Sequence, residues 1–170
     1  MLVATVLISH PLLGHDQTHE HEHQGSEDQQ SQAIASLSTQ DIAQLRAGAG
    51  WDLALPAELN GVPGPAHLLE LEQEIELDAR QAGQIRGLED AMRTAAIEEG
   101  ERFIELEAEL NRRFRERAID KEILQDLLGE IAESRARLRH VHLATHLDTL
   151  EILHEEQIDR YNTLREQQRN

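Results

Sequence analysis

Two histidines four residues apart, His142 and His146, carry the strongest chemical signal in the chain. On a helix that spacing projects both imidazoles from one face, where they can hold a single ion. Two donors alone do not make a metal site, and the plainer account is a pair of half-buried histidines at the edge of an apolar stripe made by Leu138 and Leu150. A third donor can be sought by counting along the chain. If the helices reverse near residue 118 or 119, His146 lies level with about residue 91 on the opposing helix. A short helix folded back at Leu77-Asp78 would bring His67 level with about residue 88 or 89. His67, joined by Glu70, Glu74 or Glu89, would then complete a nitrogen and oxygen set suited to zinc, nickel, cobalt or copper. The competing account of His67 is a water-exposed residue at the start of its helix, just after Pro65.

A second histidine cluster, His15, His19, His21 and His23, alternates with acids in the segment GHDQTHEHEHQGSEDQQSQ. Such a tail offers weak, adaptable sites for divalent metals, and reads equally well as solvated low-complexity sequence. Other chemistry is poorly supplied. The chain has no cysteine, which removes disulfides, thiolate nucleophiles and cysteine-ligated metal sites. Acid pairs such as Glu98-Glu99 and Glu155-Glu156 lie on helical faces with nothing to build a cleft around them. No glycine-rich phosphate loop or HExxH motif is present. The expectation is a binding protein, not an enzyme.

A formal charge of −17 across 170 residues repels a phosphate backbone, and the 16 basic residues are interleaved with acids. Nucleic acid and anionic membrane surfaces are therefore disfavoured as partners, while cations and basic or apolar protein segments remain open. Arg112, Arg113, Arg115 and Arg117 do cluster, at the expected end of a helix where positive charge is favourable. Only 2% of residues are aromatic. Burial must then come from Leu, Ile and Ala in narrow stripes, the composition of slender helix pairs.

Three segments follow from this. Residues 1–14, MLVATVLISHPLLG, form an apolar run too short to span a bilayer and about as long as the core of an export signal, here degraded or truncated. Residues 15–35 are too polar to bury anything and are expected to form a tail. Residues 36–170 are expected to form the helical domain. Within it, Ser38 with Asp41 three residues on marks a first helix start. A short apolar stretch, residues 51–59, leads to Asn60-Gly61-Val62-Pro63-Gly64-Pro65, a fixed turn. A short helix over about residues 67–76 presents Leu68, Leu71 and Ile75. A long one over about residues 78–117 carries Ile85, Leu88, Met92, Ala96, Phe103, Leu106, Leu110 and Phe114 at three- and four-residue steps. Asp120 caps another, through Ile123, Leu127, Ile131, Leu138, Val141 and Leu150, and a connection this short implies an antiparallel pair. A last helix begins near Glu155. The fold class expected is all-α: a long antiparallel helical hairpin with short flanking helices, paired as a dimer because its apolar stripes are thin.

Leu77-Asp78-Ala79-Arg80-Gln81 opens one long helix and Leu153-His154-Glu155-Glu156-Gln157 opens the last. Each is a leucine, a polar cap and a Gln at the third helical position, which a capping box explains on its own. The two boxes also resemble the paired Leu-Thr-x-x-Gln motifs of the periplasmic four-helix hairpin family typified by Spy, CpxP, ZraP and CnrX. The resemblance covers about residues 66–165, and RAGAGWDLALPAELNGVPGPAHLLEL, residues 46–71, resembles the lead-in of its heavy-metal sensor branch. Asp78 and His154 stand where the family has Thr; both can cap a helix. The resemblance implies an exported, non-enzymatic protein. Its sensor branch places metal ligands four apart on the helix corresponding to that of His142 and His146. Two functions are thus expected. One is a periplasmic metal-binding sensor or resistance accessory, working with an envelope signalling partner. The other is an ATP-independent chaperone that shelters unfolded clients on an exposed apolar face.

Overall fold

The computed structural model describes residues 34–169; the leader-like run and the histidine tail lie outside them. The described residues hold six helices and no strand: α1 (Thr39–Arg46), α2 (Leu55–Leu59), α3 (Pro65–Glu70), α4 (Ala79–Arg115), α5 (Lys121–Leu150) and α6 (Glu155–Arg169). None is long and apolar enough to cross a membrane.

Helix starts follow their caps closely. Ser38 and Asp41 form a reciprocal capping box, as do Asp78 and Gln81, and the Asp120 carboxylate accepts from the Ile123 N–H. Helix ends share one device. After α1, α2, the turn following α3, and α4, one residue enters the left-handed region: Gly48, Gly61, Glu76 and Arg117, with φ of 64°, 75°, 56° and 54°. At each, the next N–H reaches back to a carbonyl of the last helical turn: Ala49 to Gln44, Val62 to Ala57, Leu77 to Glu72 and Ala118 to Arg113. The short helix expected over residues 67–76 accordingly keeps its regular ladder only from Pro65 to Glu70, and the following residues close into the turn that ends at Glu76.

Helices α4 and α5 pair along their length, with residue numbers rising on one as they fall on the other. Leu106 and Glu109 lie beside Ile123, Asp126 and Glu130. Glu99 accepts from Ser134 and Arg137, at 2.6 and 3.1 Å, and the Gln81 amide donates to the Ile152 carbonyl at 3.0 Å. At the tip, Arg112 and Arg113 are taken up by Glu109 and Glu116, and the two guanidiniums hold the Glu109 carboxyl down to about 2.

The buried apolar residues fall into two clusters. The first, around Leu37, Leu45, Leu53, Ala96, Phe103, Ile131 and Leu138, includes Ile34, so packing begins upstream of residue 36. Trp51 joins its edge, donating its indole N–H to Asp41 at 2.8 Å with Arg135 over its ring. The second cluster joins Leu68, Leu71, Ile75, Ile85, Leu153 and Tyr161. The two helix-start boxes meet beside it: Gln81 and Gln157 exchange amide hydrogen bonds of 2.9 and 3.0 Å. Gln157 also accepts from the His154 N–H and donates to the Glu76 carbonyl.

Candidate metal site at the seam between the two cores

Between the two clusters lies a cavity of about 160 Å³, lined among others by Glu58, Gly64, His67, Met92, His142 and His146. That is room for an ion and a few waters, each of which takes about 30 Å³ of liquid. Three stretches of chain build it. The stretch from Gly50 to His67, through α2 and the turn into the start of α3, supplies one wall, α4 a second and α5 the third.

The turn is fixed onto α5 by its own backbone. The left-handed Gly61 ends α2 and leads to Val62, whose carbonyl accepts from His146 Nδ1 at 3.0 Å. The next carbonyl, of Pro63, accepts from the buried Thr149 hydroxyl at 2.6 Å. Gly64 follows in extended conformation against the His146 ring. A Cβ there would stand 2.6 Å from both Cε1 and Nε2 of the imidazole, so only glycine lets the turn come this close. Pro65 then opens α3 at its first position, where a missing N–H costs nothing.

These contacts set the chemistry of the two histidines. A carbonyl can only accept, so His146 Nδ1 carries the proton and the lone pair of the neutral ring sits on Nε2. This is the arrangement by which a backbone carbonyl orients a metal-ligating histidine. His142, one turn earlier, is only 2% exposed. Its Nε2 is buried with no hydrogen-bond partner. Burial, followed by the proximity of His146, pushes its pKa below the usual histidine value, against an opposing pull from Glu58. The ring is therefore neutral at pH 7, and its Nε2 stands buried without a partner.

His67 lines the same cavity, half-buried on α3, so His67, His142 and His146 share one wall space. Glu70 is exposed on α3 and is not among the lining residues; Glu74 is exposed too, and Glu89 is paired with Arg93 at 3.1 Å. No three His, Asp or Glu side chains among the described residues stand close enough to hold an ion in the arrangement seen. The cavity thus brings His67, His142, His146 and Glu58 to one space without converging three of them on a point. Two lining residues were not foreseen as donors. Glu58 sits just ahead of the Asn-Gly-Val-Pro-Gly-Pro turn and carries no motif of its own. Met92 reads in the sequence as one more member of the α4 stripe, although the level count placed about residue 91 opposite His146. The tail histidines His15, His19, His21 and His23 lie outside the described residues.

No protein-family model, curated protein or solved structure matches the chain. What it binds must be read from the cavity and the surfaces around it.

Proposed function

We propose that the chain is a non-enzymatic, transition-metal-binding protein of the cell envelope, a periplasmic sensor or resistance accessory of the Spy, CpxP, ZraP and CnrX type. In this reading it is an antiparallel helical hairpin that works as a homodimer. The observation that carries the proposal is the buried, unpartnered Nε2 of His142, a residue that lines one cavity together with His146. An orphaned buried polar atom costs about 1–3 kcal/mol, a cost that a ligand would remove. A bound ion would draw on His142, His146 and a third donor from His67, Glu58 or Met92. Because His146 is tied to Val62 and Gly64, occupancy would tighten the turn between α2 and α3 against α5, giving a surface an envelope signalling partner can read.

The test is calorimetric titration with zinc, nickel, cobalt and copper, using the full chain with His15, His19, His21 and His23 replaced by Ala so that the tail contributes nothing. Stoichiometric binding that disappears in the added His142→Ala/His146→Ala variant is the expected result. A parent that binds none of the four would overturn the metal reading. Sedimentation equilibrium on the same material tests the dimer.

The exposed apolar side chains support a second reading, an ATP-independent chaperone. Leu55, Leu59, Phe114, Leu128 and Leu147 are large and exposed, Phe114 at 55% and Leu147 at 59%. Suppression of aggregation of a denatured client, lost in Phe114→Glu/Leu128→Glu, is the outcome this reading expects.

A further inference from the structure

We infer that the cavity is built for monovalent copper, with the thioether of Met92 as the donor that joins His142 and His146. The inference rests on the metal reading above and specifies its ion.

Three groups that ligate without contributing a negative charge line the cavity from two long helices: Met92 on α4, and His142 and His146 on α5. His146 has its Nδ1 held by Val62, and His142 has its buried Nε2 free of any partner. An ion placed on these three groups has only uncharged ligands. In a largely buried site its charge is then uncompensated, and the desolvation cost rises steeply with that charge. A monovalent ion bears the smaller cost. Thioether sulfur is also a soft donor that selects cuprous copper over the harder divalent ions. Met92, half-buried and unbranched, can reorient its sulfur without disturbing the α4 backbone. Cuprous copper is content with few ligands, so the two histidines and one sulfur suffice without a carboxylate.

Glu58 provides the contrast. A divalent ion in the same cavity gains more from an anionic ligand that offsets its larger charge, and Glu58 is the one carboxylate in the lining. Met92 and Glu58 therefore report on different ions. Substituting the thioether should weaken cuprous copper and spare zinc, whereas substituting the carboxylate should weaken zinc and spare cuprous copper.

The experiment uses the full chain with the four tail histidines replaced by Ala. Cuprous copper is titrated anaerobically against a chromophoric chelator, and zinc against a fluorescent one, for the parent, Met92→Leu and Glu58→Gln. Circular dichroism of each variant checks that the fold is intact. The expected result is a cuprous affinity that falls at least ~10-fold in Met92→Leu with zinc affinity unchanged. Copper-edge X-ray absorption should show a sulfur neighbour in the parent that Met92→Leu lacks. Zinc binding with cuprous affinity untouched by Met92→Leu, or no sulfur neighbour in the parent, overturns the copper assignment and leaves the metal reading standing. Binding of neither ion overturns the copper assignment, and the metal reading falls with it when nickel and cobalt also fail to bind.

Discussion

His142 sits in the fold as a neutral imidazole, and its titration gives the most direct handle on the cavity. Its pKa is lowered chiefly by burial, from an ordinary value of 6.5. As pH falls, the unfolded chain takes up this proton before the folded one does. The contribution of His142 is therefore intact above pH 6.5 and is lost as pH drops through that value toward the lower folded one. Denaturant melts of the metal-free protein over this range should show the parent losing more stability than His142→Leu; parallel curves would mean that the ring is not desolvated. Gly64 belongs to the same scale. Gly64→Ala drives a methyl into the His146 ring, so we expect a destabilisation of about 1–3 kcal/mol in thermal melts, together with weaker metal binding. The histidine spacing was legible in the sequence because a helix fixes which residues share a face. Val62, Gly64 and Glu58 were not, since their place beside α5 depends on how a turn some 80 residues away docks, whereas the level of Met92 could be counted and only its apolar character hid it.

Helix boundaries were legible to within a residue or two wherever a cap set them, because a cap acts through its own neighbours. Ser38, Asp78 and Asp120 each satisfy an N–H three residues ahead. The ends were harder to read, since two of the four left-handed termini are held by ordinary residues, Glu76 and Arg117, in place of glycine. A side chain in that region costs about 1–2 kcal/mol, partly offset in any glycine variant by the freer unfolded chain. Arg117→Gly should thus raise stability by about 0.5–1 kcal/mol in a denaturant melt, the more clearly because the Arg112 and Arg113 pairs do not involve Arg117. The helix-start boxes make a second prediction. Read alone, each Gln is a local capping residue, yet Gln81 and Gln157 bond each other across 76 residues. In a double-mutant cycle, Gln81→Ala and Gln157→Ala should couple by about 0.5–3 kcal/mol. A coupling near zero would reduce both to independent caps.

Along the whole molecule, the apolar stripes read in the sequence run from Ile85 through Met92 to Phe103 on α4 and from Leu138 to Leu150 on α5. The fold divides them between two clusters. Phe103 and Leu138 belong to one cluster, Ile85 and Leu153 to the other, and the cavity with Met92, His142 and His146 occupies the seam between them. The division was illegible because histidine at a stripe position looks like a tolerated core residue until its partners are known. A polar seam of this kind lowers the stability of the metal-free chain, since the orphaned His142 Nε2 is buried without return. His142→Leu removes that group and supplies apolar atoms where the two clusters nearly meet, a change that is often neutral or stabilising at buried polar sites. We expect it to stabilise the metal-free protein by about 1 kcal/mol, or about 2–4 °C in melting temperature for a chain of this size, while abolishing metal binding at the cavity. A protein that gains stability and loses its ligand through one substitution has kept that residue for binding. A lower melting temperature in His142→Leu would instead make His142 a packing residue whose nitrogen is satisfied by cavity water, and would shift the balance toward the exposed apolar surfaces and the chaperone reading.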